Sequence, residues 1–336
     1  MTAQTQTGRR AYVTLLTNAR YLPGLLLLDH TMKEVNTRYP LVVLTTPSFP
    51  SEHLDLLETL GMETRRIELL EPKGEVTLIA ERFKDTWSKL QAFALEDYER
   101  VVLLDCDMTV FSNIDSLLED PDILPSSDWI AANHSCVCNP LNQDWYEPDC
   151  KPENCAYTYS QSHPHSPPPP LSLLSTKRTY TLLNSGLVVL SPSPSLYHRI
   201  VNHLHTSPTI ASMALPDQDL LAEVFEGRWK PLSWRFNAIK TLRWVHPELW
   251  FSKDGEGKNV EGRERNEKCG GDGVAVLHYI VEKPWLDLVP SSSRDAETQR
   301  WWWSDWHSML DSWRADPRLE GYVERVGGLV VQGRQE

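Results

Sequence analysis

Apolar positions along this chain alternate between two rhythms. Short continuous runs, AYVTLLTN (11–18), PLVVLTT (40–46) and VVLL (101–104), have the length and β-branched content of strands covered on both faces. Between them lie stretches with helical spacing. YLPGLLLLDHTMKEV (21–35) puts Leu25, Leu28 and Met32 on one face, with Pro23 at its start. SEHLDLLETLG (51–61) has Ser51 as its expected N-cap and Gly61 as its stop, and WSKLQAFALEDY (87–98) is a third expected helix. ETRRIELL adds a strand between the last two. Strand–helix repetition of this kind predicts an α/β fold with a parallel, doubly wound sheet.

The rhythm lapses from 134 to 178, a stretch that holds four of the six cysteines and the proline-rich SQSHPHSPPPPLS. This reads as an insertion with extended backbone rather than a separate domain. Regularity returns with the strand in TYTLLNSGLVVLSPS (179–193), helices in SLYHRIVNHLHT and DQDLLAEVFEG, and a strand in GVAVLHYI (273–280). The expected organisation is a tail over 1–10, one domain over 11–290 carrying the insertion, and a Trp-rich helical extension over 291–336.

Charge narrows the partners. Lys plus Arg number 33 against 46 Asp plus Glu, a net charge of -13. Such a surface repels nucleic acid and anionic membranes. LPGLLLLD is too short to cross a bilayer, and the N-terminus is a polar tail running into a strand. The expectation is a cytoplasmic protein with reduced thiols and no membrane span. Asn133-His134-Ser135 then matches a glycosylation sequon by chance.

The fourth apolar run ends in Asp105 and Asp107. Along a strand, alternate residues share a face, so the two carboxylates would sit side by side and repel unless a proton or a cation lies between them. Hard divalent cations suit oxygen ligands, and the carboxyl ends of strands are where open α/β sheets bind ligands. A pair of solvated aspartates at a strand end is the plainer alternative.

AYVTLLTN, VVLLDCDMTVFSNID, LLNSGLVVL, PDQDLLAEVF, FNAIKTL and VLHYIVEKPW, in that order, resemble the glycogenin and galactinol synthase family of retaining glycosyltransferases, family 8. The resemblance implies a GT-A nucleotide-diphospho-sugar transferase fold, with a Rossmann-like, mostly parallel sheet flanked by helices. It implies a UDP-sugar donor and Mn²⁺, with Mg²⁺ as a substitute, held by Asp105, Asp107 and His278. Leu15, Thr17, Asn18 and Tyr21 match the uridine pocket, and Cys106 lies within the metal motif. Arg82, Lys89, Asn184 and Ser185 match donor-sugar contacts, and Lys283 matches the lysine that balances the diphosphate. Asp217 and Gln218 match the residues nearest the chemistry. The family's glycine between the late His and Lys is replaced by Val281 or Glu282, which leaves its backbone contact to phosphate open. Each match has a plainer structural counterpart: core for Leu15 and His278, a helix start for Tyr21, a solvated helix face for Lys89, a turn for Asn184-Ser185-Gly186, and a helix cap for Asp217.

No tyrosine lies between Gln218 and His278, where self-glucosylating members carry their acceptor. The expected reaction is hexose transfer, from UDP-glucose or UDP-galactose, to a separate hydroxyl acceptor such as a sugar, a polyol or an inositol. Galactinol synthase-like transfer to inositol, a self-glucosylating primer and an inactive nucleotide-sugar binder are the alternatives. A homodimer is left open. Cys136, Cys138, Cys150 and Cys155 have the number for a zinc site but not a common spacing, so zinc, free thiols and disulfides all stand. RWWWSDWHSML (300–310) reads as a helix docking on the core, with a sugar platform or partner site as the alternative.

Overall fold

In the computed structural model of the chain, residues 8–74, 76, 83–163, 165–250 and 273–331 are described. Among the described residues, ten strands form two sheets. The larger uses β1 (Arg10–Leu16), β2 (Leu41–Thr45), β3 (Glu63–Arg66), β4 (Arg100–Leu104), β6 (Ile130–His134), β7 (Leu183–Leu190) and β8 (Trp229–Pro231), in the order β3-β2-β1-β4-β7-β6-β8. The smaller uses β5 (Met108–Val110), β9 (Ala238–Ile239) and β10 (Val276–His278), in the order β5-β10-β9.

Strand alternation builds the core. Tyr12, Val43, Val102 and Leu104 face one buried cluster, while Val13, Leu44, Val101 and Leu103 face the other. The sheet therefore has apolar packing on both faces, as the continuous runs predicted. The helix Leu22–Glu34 covers the first face, and the helices Pro194–Thr206 and Pro216–Val224 cover the second.

Several elements differ from the expectation. The sheet is mostly parallel, but β7 runs antiparallel to both β4 and β6. That reversal sets up the site: the first residues of β7 lie beside the last residues of β4, and Asp105 N–H donates to Gly186 O at 2.9 Å. A parallel β7 would leave Asn184-Ser185-Gly186 at the opposite edge. The segment expected as a helix over 87–98 is a 3-10 helix, Thr86–Ala94. Ser51 opens a 3-10 turn and makes no side-chain cap. The following helix Leu54–Thr59 does stop at Gly61, whose φ of +77° ends it with the bonds Met62 N–H to Leu57 O and Gly61 N–H to Glu58 O. The third strand is shorter than ETRRIELL, and β5, β6, β8 and β9 had no separate forecast.

The insertion packs more tightly than its composition implied. Cys155, Ala156 and Tyr157 are buried at the start of the short helix Ala156–Gln161. Asn133 is fully buried within β6, so the folded chain cannot present its sequon for glycosylation. The Trp-rich segment forms the helix Ala296–Arg314. Trp302 and Trp306 are buried against the core and stack on each other at 5.1 Å, and Trp302 also meets Trp285 at 5.4 Å. No helix among the described residues is long and apolar enough to cross a membrane.

Candidate active site

β4 ends at Leu104, and the link Asp105-Cys106-Asp107 crosses to β5. β10 lies antiparallel to β5, with His278 opposite Met108 and Tyr279 N–H donating to Asp107 O at 2.9 Å. Two backbone registers thus bring a histidine to an aspartate pair far away in sequence. His278 Nε2 lies 3.2 Å from Asp107 Oδ1 and 3.7 Å from Asp105 Oδ2. One ligand atom from each of the three residues falls within 4.8 Å of the others.

Two lysines hold the carboxylates. Lys89, on the 3-10 helix, reaches both Asp105 Oδ1 and Asp217 Oδ2 at 2.7 Å. Burial works against its charge, but the two carboxylates outweigh that and hold the ammonium above its ordinary range. Lys283 bonds Asp107 Oδ2 and Tyr279 O. Burial opposes ionisation of Asp107, but the Lys283 ammonium holds its carboxyl below the ordinary range. Asp105 is pushed up by desolvation, with Asp107 adding to the rise and Lys89 opposing it.

A hydrogen-bond chain sets the orientations of three amides and one ring. The Gly186 N–H donates to Asn184 Oδ1 at 3.0 Å. A backbone N–H only donates, so the oxygen of Asn184 must face it. Asn237 then gives its Nδ2 to the same oxygen at 2.6 Å and turns its own Oδ1 to His278 Nδ1 at 2.9 Å. The His278 proton therefore sits on Nδ1, and the Nε2 lone pair faces the aspartates. On the other side Asn184 Nδ2 donates to Gln218 Oε1 at 3.0 Å, which leaves the Gln218 amide nitrogen as its outward donor. Gly186 must be glycine here: a Cβ would come within 2.6 Å of His278 Cε1 and 2.7 Å of its Nδ1.

Asp217 does not cap its helix. The helix Pro216–Val224 has Leu215 at its N-cap, and Asp219 Oδ2 accepts the Leu215 N–H at 2.9 Å. Asp217 is freed for Lys89. Burial raises the Asp219 carboxyl to about 6, with Asp217 and Glu223 contributing and backbone N–H groups opposing.

A cavity of about 1230 Å³ opens over this cluster. Its lining includes Leu15, Thr17, Asn18 and Tyr21, the cluster Asp105, Cys106, Asp107, His278 and Lys283, and Lys89, Asn184, Ser185, Asp217 and Gln218. Asn18 accepts the Arg20 N–H, which caps the turn that carries Tyr21. The Tyr21 ring meets Trp285 edge-on at 6.2 Å. Cys106 is buried, so its backbone is the part that shapes the site. Arg82 lies outside the described residues. Val281, where the family glycine was expected, has a φ of +66° and lines the cavity. A β-branched residue there is strained, and the turn it occupies carries Lys283 back to Asp107. Asn237 went unnamed as a site residue; its presence in FNAIKTL was the available signal.

The donor set fits a divalent cation. Two carboxylates and an imidazole that places Nε2 beside them offer hard oxygen and borderline nitrogen ligands converging on one point.

The galactosyltransferase LgtC, solved with donor and acceptor sugar analogs, superposes with a TM-score of 0.55 at 14% identity, covering 89% of this chain and 95% of that one. The glycosyltransferase GlyE of Streptococcus pneumoniae TIGR4 gives 0.53 at 14% identity, covering 98% and 67%. The fold is that of the GT-A glycosyltransferases, and the protein is a glycosyltransferase. The Glycosyl transferase family 8 model matches residues 12–289, and the chain belongs to that family. Galactinol synthase 4 of Arabidopsis thaliana is 30% identical over 312 residues, covering 88% of this chain and 80% of the relative. Galactinol synthase 1 of Solanum lycopersicum is 31% identical over 334 residues, covering 98% and 90%.

Proposed function

We propose that this protein is a Mn²⁺-dependent retaining hexosyltransferase that moves a sugar from a UDP-sugar to a separate small hydroxyl acceptor. The observation that carries this reading is the convergence of Asp105, Asp107 and His278 with Lys283 on one side and Lys89, Asp217 and Gln218 on the other. The relatives named galactinol synthases favour UDP-galactose as donor and an inositol as acceptor. We assign the protein to the cytoplasm, where its thiols stay reduced.

Mn²⁺, when bound by Asp105, Asp107 and His278, supplies a Lewis acid that neutralises the diphosphate of the donor. Lys283 adds a compact positive charge for the same phosphates. Tyr21 offers a face for uracil beside Leu15, Thr17 and Asn18. Lys89 fixes Asp217 relative to Asp105, so the sugar-facing carboxylate keeps a set distance from the metal face. Asp217 stabilises positive charge growing at the anomeric carbon, and the Gln218 amide nitrogen donates to a sugar hydroxyl. Asn184 and Ser185 hold the rest of the hexose. The departing UDP then takes the acceptor proton on the same face, so configuration is retained.

Self-glucosylation is disfavoured by sequence, and burial withdraws two tyrosines from that role, although Tyr159 is partly buried and Tyr146 lines the cavity. Tyr157 and Tyr180, in and beside the insertion, are buried, and the Tyr157 hydroxyl donates to His134 O at 2.7 Å. The test is UDP release from UDP-galactose and UDP-glucose with Mn²⁺, with and without myo-inositol and other polyols, alongside intact mass spectrometry. Faster UDP release with a polyol and no added hexose on the protein is expected. Hexose ladders on the chain, or no acceptor effect across the panel, would overturn the separate-acceptor reading.

A further inference from the structure

A second cluster of metal-binding side chains lies where the insertion meets the body of the domain. Cys136 and Cys138 follow β6, Cys155 precedes the helix Ala156–Gln161, and His246 ends the short helix Leu242–Val245. One ligand atom from each of these four residues lies within 4.8 Å of the others. Cys155 Sγ is 4.0 Å from Cys136 Sγ, and Cys138 Sγ is 3.2 Å from His246 Nε2, although 108 residues separate those two in sequence. With Zn–S near 2.3 Å, the edge between two sulfurs of a tetrahedral zinc site is about 3.8 Å. The observed separations need only small adjustments to reach that geometry. Cys136, Cys155 and His246 are buried and Cys138 is partly buried, so the four donors are largely withdrawn from solvent, with Cys136 at the wall of the cavity.

The histidine is prepared for this role. Its Nδ1 lies 2.9 Å from Gln161 Oε1, so the ring proton sits on Nδ1 and the Nε2 lone pair turns toward the sulfurs. Cys150, the fourth cysteine of the insertion, stands apart: its thiol lies 3.6 Å from Arg178 Nη2. The number of cysteines in the insertion left zinc open with Cys150 among its ligands; in the structure the fourth donor beside the three thiols is His246, which follows a distant helix.

We propose that Cys136, Cys138, Cys155 and His246 form a structural site for one tetrahedral Zn²⁺, which fastens the insertion to the helix Leu242–Val245. Three thiols and one imidazole, all four positions filled by protein, are the donor set of a structural rather than a catalytic zinc. Binding converts the three thiols to thiolates and releases their protons to solvent. The insertion supplies part of the wall of the cavity over the active site, through Val137, Leu141 and Tyr146 among others. Zinc therefore holds the shape of that wall without touching the donor-binding cluster.

The test is the metal content of the purified full chain, by elemental analysis and native mass spectrometry, with Co²⁺ replacing Zn²⁺ for spectroscopy. One zinc per chain is expected. The Co²⁺ form should show the thiolate charge-transfer and intense visible bands of a tetrahedral sulfur-rich site. Cys155→Ser and His246→Ala should each lose the zinc and lower the thermal midpoint by several degrees. Because Cys155 is fully buried and its variant can fail to fold, Cys138→Ser and the cobalt spectrum of the wild-type chain decide the matter independently. Asp107→Asn should keep the full zinc content, which separates this site from the carboxylate cluster and from the proposed reaction. A chain that takes up neither Zn²⁺ nor Co²⁺ when reduced overturns the proposal. So does a Cys136–Cys155 disulfide in protein purified with zinc present.

Discussion

Two clusters in this protein prepare a histidine in the same way and then diverge. His278 gives Nδ1 to the side-chain oxygen of Asn237, and His246 gives Nδ1 to that of Gln161. Each ring therefore turns Nε2 toward the other side chains of its cluster. Around His278 the other donors are carboxylates at the floor of a cavity, already paired with lysines. Around His246 they are thiols largely withdrawn from solvent. Hard oxygens beside open space suit a cation that must also meet a substrate, whereas sulfurs in an enclosed site suit one that only holds the fold. On the two proposals, donor hardness and access separate a site that works from a site that fastens.

The sharpest way to break this comparison is to remove a hard donor. Asp107→Asn keeps the shape but deletes an anionic ligand, and it leaves Lys283 facing a neutral amide. Transfer should fall by roughly 10³-fold and Mn²⁺-dependent UDP binding should vanish from calorimetry. Undiminished transfer would end the metal reading of the open cluster.

Asp217→Asn comes next. It leaves the three metal ligands in place, so UDP–Mn²⁺ affinity should stay within a few-fold while turnover drops by roughly 10². Binding that falls in step with turnover would make Asp217 a donor-site residue instead.

Asp219 tests how the open region handles charge, because this carboxyl faces backbone N–H groups rather than an ammonium. Its folded pKa of about 6 lies above the unfolded value, so its protonated form contributes stability that is complete below about pH 4 and is lost as pH rises through 6. Asp219→Asn should remove about 3 kcal/mol of that pH dependence, read from denaturant unfolding of both proteins at several pH values. Parallel curves for the two proteins would show that the carboxyl is better solvated than its burial implies.

Asn237→Ala sharpens the parallel between the two histidines. Without the amide oxygen, His278 is free to turn or to change tautomer, and Mn²⁺ affinity should weaken about tenfold, the lower end for loss of such a partner. Zinc content should not change. The smallest effect is expected from Val281→Gly, which removes a left-handed strain and should stabilise the fold by about 1 kcal/mol, measured as a shift in the denaturant midpoint.

The amino-acid sequence by itself determined the strands β1, β2, β4 and β7 and the helix Leu22–Glu34, because runs of apolar residues report directly on burial. Asp105 and Asp107 were legible for a related reason: one residue apart at the end of an apolar run, they advertise their own proximity. The order of motifs marked His278, Lys283, Lys89 and Asp217 as residues of one site, though not how they meet. Only the tertiary structure decided that β7 runs antiparallel, which lays Asn184 and Gly186 beside Asp105. It alone decided that Lys89 joins two carboxylates, that Asn237 orients His278, and that His246 rather than Cys150 completes the sulfur cluster. Hydrophobic period carries information about which side of a strand or helix is covered. It carries none about which direction a neighbouring strand runs, or which residues from distant segments close around one point, because those depend on backbone hydrogen bonding and packing between elements far apart in the chain.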